Sequence, residues 1–187
     1  MDTETFWRLV DAARAADKPP HAALSDLLAA QGEEHVLAFE ACMDRLDTAI
    51  DRWGVWAAGC LVGGGCSDGS FMDFKAGLIG PGRAWYERVV RCPDDLAEHP
   101  GIRRAAATGD QEAVFREELG SVGPDCYRRF TGDEDDFSPA SDRHRTARGL
   151  DGGGEHDMGE DFGFDDPDER HRRLPRLAAL YRAEGQQ

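Results

Sequence analysis

Seven polar residues gather between positions 67 and 87: Ser67, Asp68, Asp73, Lys75, Arg83, Tyr86 and Glu87. They lie around a glycine-rich stretch, Gly63-Gly64-Gly65-Cys66-Ser67-Asp68-Gly69, and two expected helix starts. Such a loop can turn backbone N–H groups toward an anion, with Arg83 as a charged clamp and Ser67, Asp68 and Tyr86 as further ligand contacts. Asp73 and Glu87 are the candidate catalytic pair, because two carboxylates can share acid–base work when one of them keeps its proton. The competing reading is structural: a serine and an acid cap a helix, and Arg83 pairs with a surface carboxylate.

Other chemistries lack their parts. The glycines are not followed by the Gly-Lys-Ser/Thr of a P-loop, and no expected strand precedes them. Cys60 and Cys66 are separated by five residues, outside usual zinc spacing. His156-Asp157 amid Glu155, Glu160 and Asp161 is a weak cation site at most, without the residue order of a calcium loop. His144 and His171 lie in or beside the same acidic stretch. No metal and no cofactor is expected. A nucleophile elbow is not expected either, and His35 and His99 are distant in sequence from Cys60 and Cys66.

Helices must position these groups. Phe6, Leu9, Val10 and Ala13 recur at helical spacing over Glu4 to Ala16, with Asp2 or Thr3 as cap. Leu24, Leu27 and Leu28 share one face of a short second helix. Val36, Phe39, Met43, Leu46, Ile50 and Trp53 step by threes and fours, giving one apolar seam on a third. Ser70-Phe71-Met72-Asp73 has the order of a capping box, opening a helix that buries Phe71, Phe74 and Leu78. A further helix spans Arg83 to Arg91, and Asp110 opens one carrying Val114, Phe115 and Leu119. A closing helix covers Arg172 to Tyr181. Trp7 and Trp56 lie off the strongest stripes and can line a pocket, though most aromatics belong to the core. No segment reads as a strand, so the expected class is all-α.

Phe6-Trp7, Trp56-Ala57-Ala58, Gly64, Ser67-Asp68, Phe71, Phe74, Leu78-Ile79, Gly82, Tyr86-Glu87 and Pro93-Asp94-Asp95-Leu96-Ala97 follow one another in a familiar order. Over roughly Thr5 to Leu96 the chain resembles a bacterial family known as domain of unknown function 4240. Leu174-Pro175-Arg176-Leu177 is similar to that family's late segment. Lys75 stands where the family pattern has Arg, and the acidic insertion is longer and more polar than the pattern requires. The resemblance implies an intracellular bacterial domain and supplies no reaction.

The 187 residues carry a formal net charge of −15. Between Asp133 and Glu169 fourteen acids face three arginines, a net of −11, so this segment holds most of the imbalance. Phosphate backbones and anionic membranes repel such a chain, so neither nucleic acid nor membrane is an expected partner. The five cysteines form no disulfide framework, the start has no secretory pattern, and the expected location is cytoplasmic. The expected organisation is a helical core over 1–132, an acidic, partly disordered linker or loop over 133–168, and a C-terminal helix over 169–187 that packs on the core. The first functional expectation is a binding or regulatory protein whose acidic surface meets a basic protein partner. Phe162, Phe164, Asp165 and Asp166 would supply the contacts. The alternative is a small enzyme or anion-ligand binder using a pocket near Ser67 to Glu87.

Overall fold

Apolar residues at helical spacing become helix along most of the chain. The computed structural model describes residues 1–110, 114–133, 135–150 and 156–182. Its elements are α1 (Thr3–Arg14), α2 (Pro20–Ala29), α3 (Glu33–Ile50), α4 (Trp53–Gly63), α5 (Asp68–Ile79) and α6 (Arg83–Arg91). A 3₁₀ helix (Pro93–Glu98) follows, then α7 (Pro100–Thr108), α8 (Glu117–Gly120), α9 (Val122–Thr131), α10 (Phe137–Ala147), α11 (Pro167–Arg173) and α12 (Pro175–Arg182). Among the described residues every regular element is a helix, so the chain is all-α. None of these helices is long and apolar enough to cross a membrane.

Two compact units form, each from two stretches of chain. The first comprises Met1–Thr48 and Glu118–His156. Asp2 caps α1 by accepting the Thr5 N–H at 2.7 Å, as its position before the apolar periodicity predicts. The buried face of α1 is Phe6, Trp7, Val10 and Ala13. Phe6 stacks on Phe39 of α3 at 4.8 Å and meets Trp7 edge-on at 5.1 Å. Fully burying one such ring contributes about 1.5–3 kcal/mol. α2 packs on both α1 and α9, and α10 packs on α9.

The second unit comprises Ala49–Glu117 and Asp157–Gln187. Its centre is α4, where Val55, Ala57, Ala58, Gly59, Cys60, Leu61 and Val62 are all buried. α5, α7, α11, α12 and the 3₁₀ helix surround α4. Gly64 ends α4 in the left-handed region, at φ 67°, which a side chain would disfavour. Asp94 of the 3₁₀ helix accepts the Leu177 and Arg176 N–H groups at 2.9 and 3.3 Å, satisfying the start of α12. The Arg176 guanidinium returns the contact, reaching Asp94 at 3.1 Å, Glu98 at 2.9 Å and also Asp95.

Four local expectations change. The seam of α3 ends at Ile50, and Trp53 opens α4 instead of closing α3, because the chain turns at Asp51-Arg52. The closing helix is two helices: Pro175 lacks the N–H that an interior turn needs and restarts the chain as α12. The helix expected from Asp110 lies partly outside the described residues at 111–113; Phe115 is not helical, and α8 begins only at Glu117. Within the acidic stretch, 137–147 is helix and not linker.

Candidate functional site

The cap of α5 is Ser67, not Ser70. The Ser67 hydroxyl accepts the Ser70 N–H at 3.2 Å, and the Ser70 hydroxyl accepts the Ser67 N–H at 2.8 Å. A reciprocal box therefore forms one turn earlier than the Ser70–Asp73 order suggests, with Asp68 in the first helical turn. Gly65-Cys66-Ser67-Asp68-Gly69 also has the spelling of a nucleophile elbow, but it follows helix α4 where an elbow follows a strand. Asp73 is half-buried, and its main-chain carbonyl accepts the Arg116 N–H at 2.9 Å. Arg83 and Glu87 pair at 2.6 Å on the exposed face of α6. Tyr86 is core, 6% exposed.

Lys75 is the member of this group that the fold takes inside. It is 5% exposed, with Nζ 3.4 Å from Asp51 and 5.0 Å from the Phe71 ring centroid. Asp51 also accepts the Trp56 indole N–H at 3.1 Å, and Trp56 stacks on Phe71 at 3.8 Å. Phe164 joins this cluster, stacking on Trp53 at 5.0 Å and leaning on Trp56 at 5.6 Å. Phe162 lies under the Arg173 guanidinium at 4.7 Å. Asp166 caps α11 through the Asp168 N–H at 2.9 Å, while the Asp165 side chain is exposed. Both candidate aromatic anchors thus have intramolecular ring contacts. Glu160 chelates Arg173 at 2.6 and 2.9 Å, and Glu155 lies outside the described residues.

A second constellation, in the first unit, escapes the sequence reading. Phe137, Ala140, Ser141 and His144 form the buried face of α10. Phe137 meets Tyr127 of α9 at 5.5 Å, and Tyr127 donates its hydroxyl to Glu33 at 3.0 Å. Arg145 reaches Asp44 at 2.8 Å, and Arg148 binds Glu34. His144 is 7% exposed and turns Nδ1 toward the same Glu34 carboxylate at 3.5 Å. A neutral ring with its proton on Nδ1, the nitrogen that faces the carboxylate, has a lone pair on Nε2. Nε2 is buried and, among the described residues, has no hydrogen-bond partner.

Two cavities open beside this imidazole. One, of about 380 Å³, is lined by Ala38, Ala41, Cys42, Arg45, His144 and Arg148. The other, of about 530 Å³, is bordered by Glu33, Tyr127, Arg143, His144 and Arg148. Arg45 is exposed and donates to the Cys42 sulfur at 3.3 Å. Nearby on α3, burial and then the neighbouring Asp44 push the Glu40 carboxyl up to about 8; Arg145 opposes them and Asp47 adds to the rise. The signal for α10 was present: 137, 140, 141 and 144 follow the i, i+3, i+4, i+7 rule. Surrounding acids and glycines masked it.

A family model described as "Protein of unknown function (DUF4240)" matches residues 1–129, and the chain belongs to that family. The match contains α1 to α8 and most of α9, whereas α10, with His144 and Arg148, follows it. No curated protein and no solved structure matches the chain.

Proposed function

We propose that this is a binding or regulatory protein that holds a small anionic ligand in the α3–α10 cleft of its first unit. The observation that carries this reading is His144: it lines two cavities, and its buried Nε2 has no hydrogen-bond partner among the described residues. Leaving such an atom unsatisfied costs about 1–3 kcal/mol, which a ligand that bonds it recovers. Both cavities fall in the size range of small-molecule sites. Arg45 and Arg148 favour a carboxylate or phosphate, and the Nε2 lone pair favours a hydroxyl donor next to that anion. A 2-hydroxycarboxylate meets both demands. The anion-binding alternative drawn from the sequence thereby moves from the Ser67–Glu87 region, where capping and an i,i+4 ion pair occupy Ser67, Arg83 and Glu87, to the first unit.

The test is a set of thermal-shift and isothermal titrations with malate, succinate and inorganic phosphate. Malate should bind saturably and more tightly than succinate, and Arg45→Ala or His144→Ala should remove most of that binding. Equal, non-saturating responses to all three probes in the parent protein would end this reading.

A second reading keeps the acidic segment as a docking element for a basic protein partner in the cytoplasm. It is supported by the exposure of Asp133, Asp135, Asp161 and Asp165 within the segment of net −11, and by five free thiols suited to a reducing compartment. The same charge argues against direct nucleic-acid binding. Affinity purification of the tagged chain, compared with a variant carrying Asp161→Asn and Asp165→Asn, should show a salt-labile partner lost in the variant.

A further inference from the structure

In the second unit, α4 and α11 pack against each other, and residues 157–166 cross them as a strap with no helix of its own. Trp53, at the start of α4, donates its N–H to the Met158 carbonyl at 3.1 Å. Glu160 chelates Arg173 of α11, and Phe162 lies under the same guanidinium. Phe164 stacks on Trp53 and leans on Trp56. Arg170 Nη1 donates to the Phe164 and Asp165 carbonyls at 3.1 and 3.0 Å. The two helices therefore supply two indoles and two guanidiniums. What they hold is an acid followed by two aromatics at alternate positions, Glu160-x-Phe162-x-Phe164.

The strap differs from the core beneath it in two ways. Every residue from 157 to 166 is at least partly exposed, whereas Val55, Ala57, Ala58, Leu61 and Val62 of α4 are buried. Lifting the strap uncovers Trp53 and Trp56 and leaves that buried packing in place. The strap also satisfies its arginines incompletely: Arg170 Nε and Arg173 Nε are buried and, among the described residues, have no acceptor. Each is a donor from which a better-fitting occupant gains a bond.

We propose that the α4–α11 groove is a docking site for an acidic, aromatic segment of a partner protein, and that residues 157–166 occupy it in cis as a built-in competitor. A carboxylate of the partner takes Arg173 as Glu160 does in this structure, and an aromatic ring replaces Phe164 against the two indoles. Tethering gives the strap an effective concentration on the order of 1 mM, so a free segment of equal intrinsic affinity is held off until the strap is released. This inference is independent of the α3–α10 cleft and of a basic partner on Asp161 and Asp165.

The test is fluorescence anisotropy of a labelled synthetic peptide copying residues 157–166, titrated with the full chain and with a full-length Glu160→Ala, Phe164→Ala double variant whose fold is checked by circular dichroism. The double variant should bind the peptide saturably and at least about tenfold more tightly than the parent. Adding Arg173→Ala should remove most of that binding, and a peptide with alanine at both phenylalanine positions should not bind. Glu160→Ala alone changes an exposed side chain, so it keeps the test valid where the double variant fails to fold, and it should give the same ranking with a smaller gain. No saturable binding to a folded strap-release variant, equal affinity in the parent, or binding that survives the loss of Arg173 overturns the proposal.

Discussion

Glu40→Gln should make the protein less sensitive to pH on the alkaline side. Glu40 lies on α3 near Asp44 and Asp47, and its Oε2 sits 2.1 Å from where a Cβ on Gly123 would be, so α9 closes over it. Its folded carboxyl keeps a proton up to about 8, against an ordinary value of 4.5. The folded state therefore binds more protons than the unfolded chain between these values, and stability must fall as pH rises through that window. The full stabilisation is present below about pH 4.5 and is gone above about pH 8. At about 1.4 kcal/mol per tenfold change, the complete effect would be about 5 kcal/mol. Water reaching the part-exposed residue reduces the expected figure to about 2–3 kcal/mol. Glutamine keeps the shape of the protonated carboxyl and cannot ionise. Urea unfolding followed by circular dichroism at pH 5, 7 and 8.5 would give parent and variant curves whose difference cancels the remaining titrating groups. The variant should match the parent near pH 5 and exceed it by about 2–3 kcal/mol at pH 8.5. A difference that does not change with pH, or a variant weaker at pH 8.5, would refute the assignment.

The second unit offers two sharper mechanical tests. Gly77→Ala would put a Cβ 2.0 Å from the Val114 carbonyl oxygen and 2.9 Å from its carbon, both main-chain atoms that cannot swing aside. A loss of about 2–4 kcal/mol in chemical unfolding is expected, while Gly69→Ala, with open space around it, should be neutral or slightly stabilising. Asp94→Ala removes the acceptor for two N–H groups of α12 and one arm of Arg176. It should cost about 2–4 kcal/mol and show first as faster amide exchange in 175–182, with Asp94→Asn intermediate.

What the sequence made legible was whatever rests on local periodicity. The faces of α1 and much of α3 follow from apolar spacing, and the Asp2 cap from its place ahead of that spacing. The α5 cap shows where such reasoning is degenerate. Ser67-x-x-Ser70 and Ser70-x-x-Asp73 are both plausible boxes, and only the extended backbone at Ser67, φ −82° and ψ 167°, decides between them. The His144 site needed more, because Glu34 and Arg148 come together across 114 positions, a pairing that no local pattern encodes. The residues that carried the family resemblance explain why it conveyed membership and no activity. Phe6, Trp7, Phe71, Phe74, Leu78, Ile79, Tyr86 and Leu96 are all buried, so they record how these helices pack. Lys75 is part of that packing too, against Phe71 and beside Asp51.

The charge balance bears on the two functional readings in opposite directions. A chain of net −15 repels an anion at long range, yet the Arg45–His144–Arg148 cleft would hold one through contacts of about 3 Å. Salt screens the first effect and hardly touches the second, since the Debye length is about 10 Å at 0.1 M. Much of the acidity near the helices is already answered locally: Arg145 binds Asp44 and Asp142, Arg88 binds Asp95 and Glu98, and Arg176 bridges three carboxylates. The repulsive field therefore comes from exposed carboxylates such as Asp133, Asp135, Asp161 and Asp165. Affinity for malate should hold or rise between 10 and 150 mM salt, because screening removes repulsion and leaves the direct contacts. A basic protein docked on Asp161 and Asp165 should lose affinity over that range, because screening there removes attraction. One salt titration thus separates a ligand held inside the first unit from a partner held by the acidic segment.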